Sequence, residues 1–146
     1  MSYTDVIIQS VTALFGTLGF GFLFNIRGKK LVFAAIGGML AWMLFLALEP
    51  IAESEALRYL IVSACSTTYA EVLARILKTP ATTFSIITLI PLVPGGALYQ
   101  TTTAALDRNT EVFIPKLVYT VELAVALSLG IVIVTAIFRR FSQQKA

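Results

Sequence analysis

The chain has 146 residues, of which 58% are hydrophobic and 13% are charged, and its mean hydropathy is +0.87. Because soluble domains carry roughly 25% charged residues, this composition indicates an integral membrane protein, a single transmembrane domain over residues 1–146 with no separate soluble part. No basic run with interleaved aromatic residues accompanies the net charge of +3, so no nucleic-acid partner is expected.

The first two apolar segments, residues 6–24 and 31–48, contain no charged residue and predict membrane-spanning helices. Eighteen residues of helix measure about 27 Å, close to the ~30 Å hydrocarbon core of a bilayer. The N-terminus lacks the basic region of a signal peptide, so the first segment is expected to remain as a span. Small residues three or four apart in each segment favour close approach of another helix.

The third segment, residues 56–77, is less apolar and carries a polar stripe with a spacing of four residues. Residues at this spacing share one helix face, so one side of the helix is expected to meet protein or water. The stripe consists of Ser63, Thr67, Glu71 and Arg75. Within it, Arg75 either neutralises Glu71 near the membrane interface, or the two line a pathway for substrate or proton; the pattern leaves both interpretations open.

The fourth segment, residues 83–106, lies within a charge-free stretch from Thr79 to Leu106. A straight helix over that stretch would measure about 42 Å, which exceeds the bilayer core. Four helix-breaking residues, Pro91, Pro94, Gly95 and Gly96, predict an interruption instead. Interrupted membrane helices are typical of solute-binding sites in transporters, although a proline kink that only shapes packing is the alternative.

The fifth segment, residues 115–138, is expected to begin with Pro115 in its first turn. Glu122 lies about two turns inside it, on a face shared with Ala126 and Gly130, and has no basic neighbour in its own helix. An unpaired carboxyl group in apolar surroundings tends to stay protonated, as a proton carrier requires. A protonated glutamate hydrogen-bonded to a neighbouring helix is the structural alternative.

The distribution of basic residues predicts the orientation of the chain. Five spans place the termini on opposite sides, and 8 of the 11 basic residues fall in the loops after segments one and three and in the C-terminal tail. The positive-inside rule then places the N-terminus outside and the C-terminus in the cytoplasm.

Nothing in the sequence supports enzymatic chemistry. The chain has no histidine, and Cys65 is its only cysteine, so neither a disulfide within the chain nor the usual ligands of a metal site are available. No phosphate-binding glycine loop is present either. We expect no catalytic residues, no metal and no cofactor.

Several short motifs resemble the threonine/serine exporter family, in its short form, which occurs as a separate subunit or as the C-terminal half of a fused transporter. The resemblance covers nearly the whole chain, but segment five matches weakly. The motifs are Gly19–Asn25, Glu71-Val-Leu-Ala-Arg75, Thr79-Pro80, Ile90-Pro91-Leu92-Val93-Pro94-Gly95 and Tyr99-Gln100. The resemblance implies a secondary exporter of small amino acids or small carboxylates that works with a longer partner subunit. It also adds Asn25 to the pathway candidates Glu71, Arg75 and Glu122.

We therefore predict an all-α, polytopic membrane protein of five transmembrane helices, with helix four interrupted at Pro91–Gly96. It would export threonine, serine or a similar molecule across a bacterial inner membrane. The amides of Gly95 and Gly96 would meet the substrate carboxylate at the start of the second half-helix. Tyr99, Gln100 and Thr101 would bind the ammonium or hydroxyl group. A non-transporting scaffold for a partner membrane protein is the alternative function, and a homo-oligomer the alternative assembly.

Overall fold

The computed structural model describes residues 3–143, with side chains for residues 3–140, and six α-helices account for most of them. No β-strand occurs within this described range, so the predicted all-α class is confirmed. A 3₁₀ turn, Ile90–Leu92, separates the fourth helix from the fifth. In chain order the helices are α1 Tyr3–Leu23, α2 Lys29–Ala47, α3 Glu55–Ile76, α4 Ala81–Leu89, α5 Gly95–Leu106 and α6 Thr110–Gln143.

Within the described residues, three helices are long and apolar enough to cross a membrane: α1, α2 and the Thr110–Arg140 part of α6. The stretch Ala81–Leu92 and helix α5 together form a fourth candidate, bent by 61° at the break between them. Helix α3 is 22 residues long but does not qualify, because its polar stripe makes it less apolar. The structure thus supports three or four spans, and the predicted number of five is not confirmed.

Three of the helices end in the same type of turn. A non-glycine residue adopts a positive φ just after each of them, and the next amide donates back to the last helical turn, as in a Schellman motif. These residues are Asn25 (φ 57°), Lys78 (φ 49°) and Arg108 (φ 53°). The matching hydrogen bonds run from the amides of Ile26, Thr79 and Asn109 to the carbonyls of Gly21, Ala74 and Ala104, at 2.9, 2.9 and 3.2 Å. The loops that follow segments one, three and four are therefore tight turns.

Helix α6 begins earlier than the sequence predicted. It starts at Thr110, so Pro115 lies inside the helix and not in its first turn. Asn109 caps this start, because its side-chain Oδ1 accepts a hydrogen bond from the Val112 amide at 3.3 Å. Pro115 has no amide to offer the carbonyl four residues back, and that residue, Glu111, is exposed at the helix end.

Glycines opposite hydroxyl side chains bring the helices close together. A Cβ added at Gly130 of α6 would lie 2.7 Å from the Leu60 carbonyl oxygen of α3 and would collide with Ser63 Oγ. A Cβ at Gly38 of α2 would collide with Thr17 of α1. Lipid tails are as apolar as leucine, so this close van der Waals packing, and not exclusion from water, stabilises the bundle.

Two apolar cores lie at opposite ends of the bundle. The first is built around Leu31, Leu73, Phe84 and Ile87, and it holds the end of the bundle where α1 and α3 finish. The second is built around Phe45, Tyr59, Val62, Leu89, Leu92 and Leu123, and it holds the start of α3. Helix α4 contributes to both cores, and Leu92 of the 3₁₀ turn fixes the break against the second core.

Candidate functional site

The fourth predicted segment is interrupted where the sequence indicated. Helix α4 ends at Leu89, Pro91 lies in the first turn of the 3₁₀ segment, and Val93 is extended. Pro94 then occupies the N-cap position of α5, a place where its missing amide removes no helical hydrogen bond. The two prolines therefore sit where a bent chain tolerates them, and the predicted interruption at Pro91–Gly96 is confirmed.

The break leaves backbone amides free at the start of α5. The Gly95 amide donates to the Val93 carbonyl at 2.6 Å, and the Leu98 amide donates to the Pro94 carbonyl at 3.0 Å. No side chain caps the helix, and within the described residues the amides of Gly96 and Ala97 have no acceptor. The amides without an acceptor are thus those of Gly96 and Ala97, whereas the sequence suggested Gly95 and Gly96.

The two glycines contribute space and not unusual backbone angles. Neither Gly95 nor Gly96 has a positive φ, so the conformation itself does not demand glycine. A Cβ built on either residue meets no atom within 4 Å. Their missing side chains leave an opening in front of the free amides of α5.

This opening is part of a cavity of about 290 Å³ between four parts of the chain. Its walls come from α2, from the start of α3, from the break with the first turns of α5, and from α6. The lining residues are Trp42, Glu55, Tyr59, Pro91, Val93, Pro94, Gly95, Gly96, Ala97, Gln100, Tyr119 and Leu123. Five of the seven residues predicted to bind substrate are therefore brought together: Pro91, Pro94, Gly95, Gly96 and Gln100.

One wall of the cavity carries a carboxylate that the sequence analysis did not single out. Glu55 lies in the first turn of α3, a helix capped by Ser54, whose Oγ accepts from the Leu57 amide at 3.4 Å. A negative side chain is favourable at this end of a helix. Tyr119 of α6 donates a hydrogen bond from its Oη to Glu55 Oε2. Only the packing of α3 against α6 joins these residues, which are 64 positions apart.

Aromatic rings fix the wall around this carboxylate. The rings of Phe45 and Tyr59 meet edge to face, with centroids 5.0 Å apart, and Trp42 stacks on Phe45 at 5.4 Å. The Trp42 Nε1 donates to Gln9 Oε1 at 3.2 Å, which ties α2 to α1. The Arg58 guanidinium lies over the Phe45 ring, 4.9 Å from its centroid, and is not part of the cavity lining.

The remaining predicted binding residues lie beside the cavity and not in it. Tyr99 is 73% exposed and lines a neighbouring cavity of about 240 Å³ together with Gln100 and Lys116. Lys116 Nζ donates to Gln100 Oε1 at 2.6 Å, so Gln100 connects the two cavities. Thr101 is buried; its Oγ1 lies 2.9 Å from both the Ala97 carbonyl oxygen and Thr120 Oγ1. Its hydroxyl joins α5 to α6.

The sequence model of the family described as Threonine/Serine exporter, ThrE, matches residues 9–137 of the chain. The chain belongs to the threonine/serine exporter family. The resemblance noted in the sequence is thereby confirmed, and membership implies a role in membrane transport of that type and not an enzymatic one. No curated protein and no solved structure matches the chain at a significant level.

In this exporter chain, Glu71 and Arg75 lie far from the cavity. Arg75 Nη1 is 2.7 Å from Glu71 Oε2, and the Arg75 guanidinium covers the Phe138 ring of α6 at 4.6 Å. Sixteen residues of α3 separate Glu71 from Glu55, which corresponds to about 24 Å along the helix. The pair therefore belongs to the other end of the bundle, where Glu71 is 13% and Arg75 47% exposed.

Two further pathway candidates are also outside the cavity. Asn25 ends α1 with a positive φ, and its Oδ1 accepts from Arg27 Nε at 3.1 Å. Glu122 is exposed on α6, and no hydrogen bond or ion pair reaches it from the part of the chain that the structure describes. Ala126 and Gly130 are buried against the bundle. Each step of four residues turns by about 40° around a helix, so Glu122 lies at the exposed edge of the face that it shares with Ala126 and Gly130.

Proposed function

We propose that the chain is one subunit of a secondary exporter for threonine, serine or related small carboxylates, and that it works with a longer partner subunit of the same family. The observation that carries this proposal is the cavity at the break, where two free amides begin a helix. Partial positive charge at such a helix start attracts an anionic group, here the substrate carboxylate. Gln100, at the junction of the two cavities, meets the polar side chain of the substrate.

The proposed setting is a bacterial inner membrane, with the N-terminus outside and the C-terminus in the cytoplasm. In this arrangement α3 also crosses the membrane in spite of its polar stripe, which brings the number of spans to five. Two observations support that role: Ser63 and Thr67 are fully buried, and α3 packs more extensively with α6 than with any other helix. A polar face directed at protein is compatible with a span inside a bundle. Lys145, which contributes to the predicted orientation, lies outside the described residues.

A partner subunit is supported by the outer surface of α6. Val118, Val121, Val125 and Val132 are all exposed there, and Glu122 lies among them. A charged residue at the centre of a membrane helix costs about 2.5–3.5 kcal/mol on insertion scales. A helix of the longer subunit that hydrogen-bonds Glu122 would remove this cost. Coupling to the proton gradient or to the substrate's own gradient fits the absence of any nucleotide-binding motif in the sequence.

The experiment compares export by proteoliposomes containing this chain alone, the partner alone, or both. We expect specific efflux of labelled threonine only from the pair. The variant Gly96→Val places a branched side chain before the free amides and should reduce efflux at least tenfold while leaving assembly intact. Thr102→Val is the matched control, because it places the same branched side chain on the same helix at an exposed residue outside the cavity lining.

The same measurements separate transport from the alternative role of a non-transporting scaffold. A scaffold would lose assembly with its partner when the break is altered, whereas a transporter loses flux with assembly unchanged. Robust efflux from this chain alone would contradict the two-subunit proposal. Native efflux from the Gly96→Val pair would contradict the substrate site.

A further inference from the structure

We infer that Glu55 is the ammonium-binding group of the cavity and that Tyr119 positions its carboxylate for that role. This inference rests on the proposed function and adds to it a pair of residues that would recognise the amino group. The ligand is a small zwitterionic α-amino acid, and neither a hydroxy acid nor a dicarboxylate fits the same site as well.

The charge balance of the cavity carries the first step. Glu55 is the only residue with a formal charge among those that line it. The nearest cation on the same helix, Arg58, lies over the Phe45 ring, and no ion pair joins it to Glu55 within the described residues. The wall therefore holds a carboxylate that forms no ion pair among the described residues. A ligand cation completes such a site.

The hydrogen bonding of the carboxylate carries the second step. An ionised carboxylate offers about four acceptor positions, and Tyr119 occupies one of them on Oε2. The other oxygen has no donor among the described residues, so an ammonium group with three donors finds acceptors there. The Tyr119 hydroxyl also restricts rotation of the Glu55 side chain, because it holds one oxygen against α6. Glu55 thus presents its free oxygen in a defined direction.

The shape and composition of the walls carry the third step. Rings of Trp42, Tyr59 and Tyr119 line the cavity near Glu55, and aromatic faces attract ammonium groups. Its volume, about 290 Å³, is at the lower end of the range for small-molecule sites. A small molecule can therefore face Glu55 with its ammonium group while its carboxylate faces the amides of Gly96 and Ala97. A second carboxylate in place of the ammonium would meet a like charge.

The test uses the complete two-subunit complex and three probes: threonine, 3-hydroxybutyrate, which is threonine without its amino group, and succinate. Binding is measured by titration calorimetry and efflux in proteoliposomes. We expect the native complex to bind threonine at least tenfold more tightly than either other probe. Glu55→Gln should lower threonine affinity at least tenfold and remove the preference over 3-hydroxybutyrate, because the amide keeps the size of the side chain but not its charge.

Two further variants distinguish this role from a structural one. Tyr119→Phe should raise the KM for threonine severalfold with little change in kcat, since the carboxylate is present but no longer held. Glu53→Gln is the matched control: Glu53 is an exposed acidic residue of the preceding loop and does not line the cavity, so selectivity should be native. Glu55→Asp should restore part of the threonine preference that Glu55→Gln lacks.

The outcomes separate this inference from the proposed function. If the Glu55→Gln complex still exports threonine and discriminates against 3-hydroxybutyrate as the native complex does, Glu55 does not bind the ammonium, although the exporter proposal stands. If the native complex binds and exports none of the three probes, both proposals fail. If Glu55→Gln fails to assemble, the KM of the Tyr119→Phe complex for threonine decides, and a native KM overturns the inference.

Discussion

Straightening the break is the most direct test of the mechanism. The perturbation replaces Pro91, Pro94, Gly95 and Gly96 together by alanine. In a helix interior proline is about 3 kcal/mol less favourable than alanine, so the two proline changes favour a continuous helix by about 6 kcal/mol. Gly95 and Gly96 belong to a helix in both forms and add little to this difference. In the bent form the two prolines carry no such penalty, because they occupy a 3₁₀ turn start and an N-cap.

Contacts that the bend makes oppose this change. A straight segment would separate α5 from α6 and break the hydrogen bonds Thr101–Thr120 (2.9 Å) and Lys116–Gln100 (2.6 Å). Each contributes roughly 0.5–1.5 kcal/mol. Leu92, which is fully buried beside the break, would lose packing worth about 1–3 kcal/mol. The opposing sum is about 2–6 kcal/mol, which does not exceed the helix preference of about 6 kcal/mol, so we expect the four-alanine variant to favour the straight form.

A distance measurement reports the change. Between Thr82 and Leu106 a straight helix measures about 36 Å, whereas two arms of about 16 Å bent by the observed 61° span roughly 28 Å. Spin labels at these positions, in a Cys65→Ser background, should therefore move apart by about 6–8 Å. Threonine efflux should fall at least tenfold with assembly retained, because the amides of α5 enter helical hydrogen bonds. An increased distance with native efflux would show that the break is only a kink.

Three further predictions concern the charged groups. Glu71→Gln and Arg75→Gln should each reduce stability by about 0.5–1 kcal/mol and lower efflux, because each leaves the other side chain without its partner. The double variant should recover most of the efflux that either single variant loses. An inactive double variant that inserts normally would place Glu71 in transport. Glu122→Gln should abolish the pH dependence of efflux if Glu122 carries a proton, and unchanged pH dependence would refute that role. A reporter active only in the cytoplasm should work when fused after Ala146, and labelling of a cysteine at that position from the outside would contradict the orientation.

Local chemistry determined which features the sequence could predict. Prolines and glycines act on their own backbone and near neighbours, so the interruption at Pro91–Gly96 was visible in the residues alone. Glu55 was not, because it follows a proline, a turn and another acidic residue and therefore resembled a loop. Its meeting with Tyr119 depends on how α3 packs against α6, and no spacing within either helix reports that. The free amide at Ala97 likewise depends on how tightly the chain turns at Val93.

The number of spans is a feature for which hydropathy alone is a poor guide. A hydropathy scale scores each residue of a helix as if lipid surrounded it. In α3, however, Ser63 and Thr67 are fully buried in the bundle, and their hydroxyls donate to carbonyls of their own helix at 3.0 and 2.7 Å. Such satisfied hydroxyls are inexpensive in a protein interior and still lower the apolar score of α3. A polar stripe of this kind therefore does not argue against a span.

Pairing of glycines with hydroxyl side chains also bears on the partner subunit. Inside the bundle, Gly38 receives Thr17 and Gly130 receives Ser63, so these small residues are used for close contact between helices. Gly16 and Gly19 of α1 are also small residues that could admit a neighbouring helix, yet a Cβ on either meets no atom within 4 Å. Close packing and not apolar burial holds membrane helices together. The unfilled glycines on α1, and the Glu122 carboxyl group on α6, which has no partner among the described residues, are therefore both features that a second subunit would complete. They lie on different helices, which favours a longer partner with several spans over contact through a single helix.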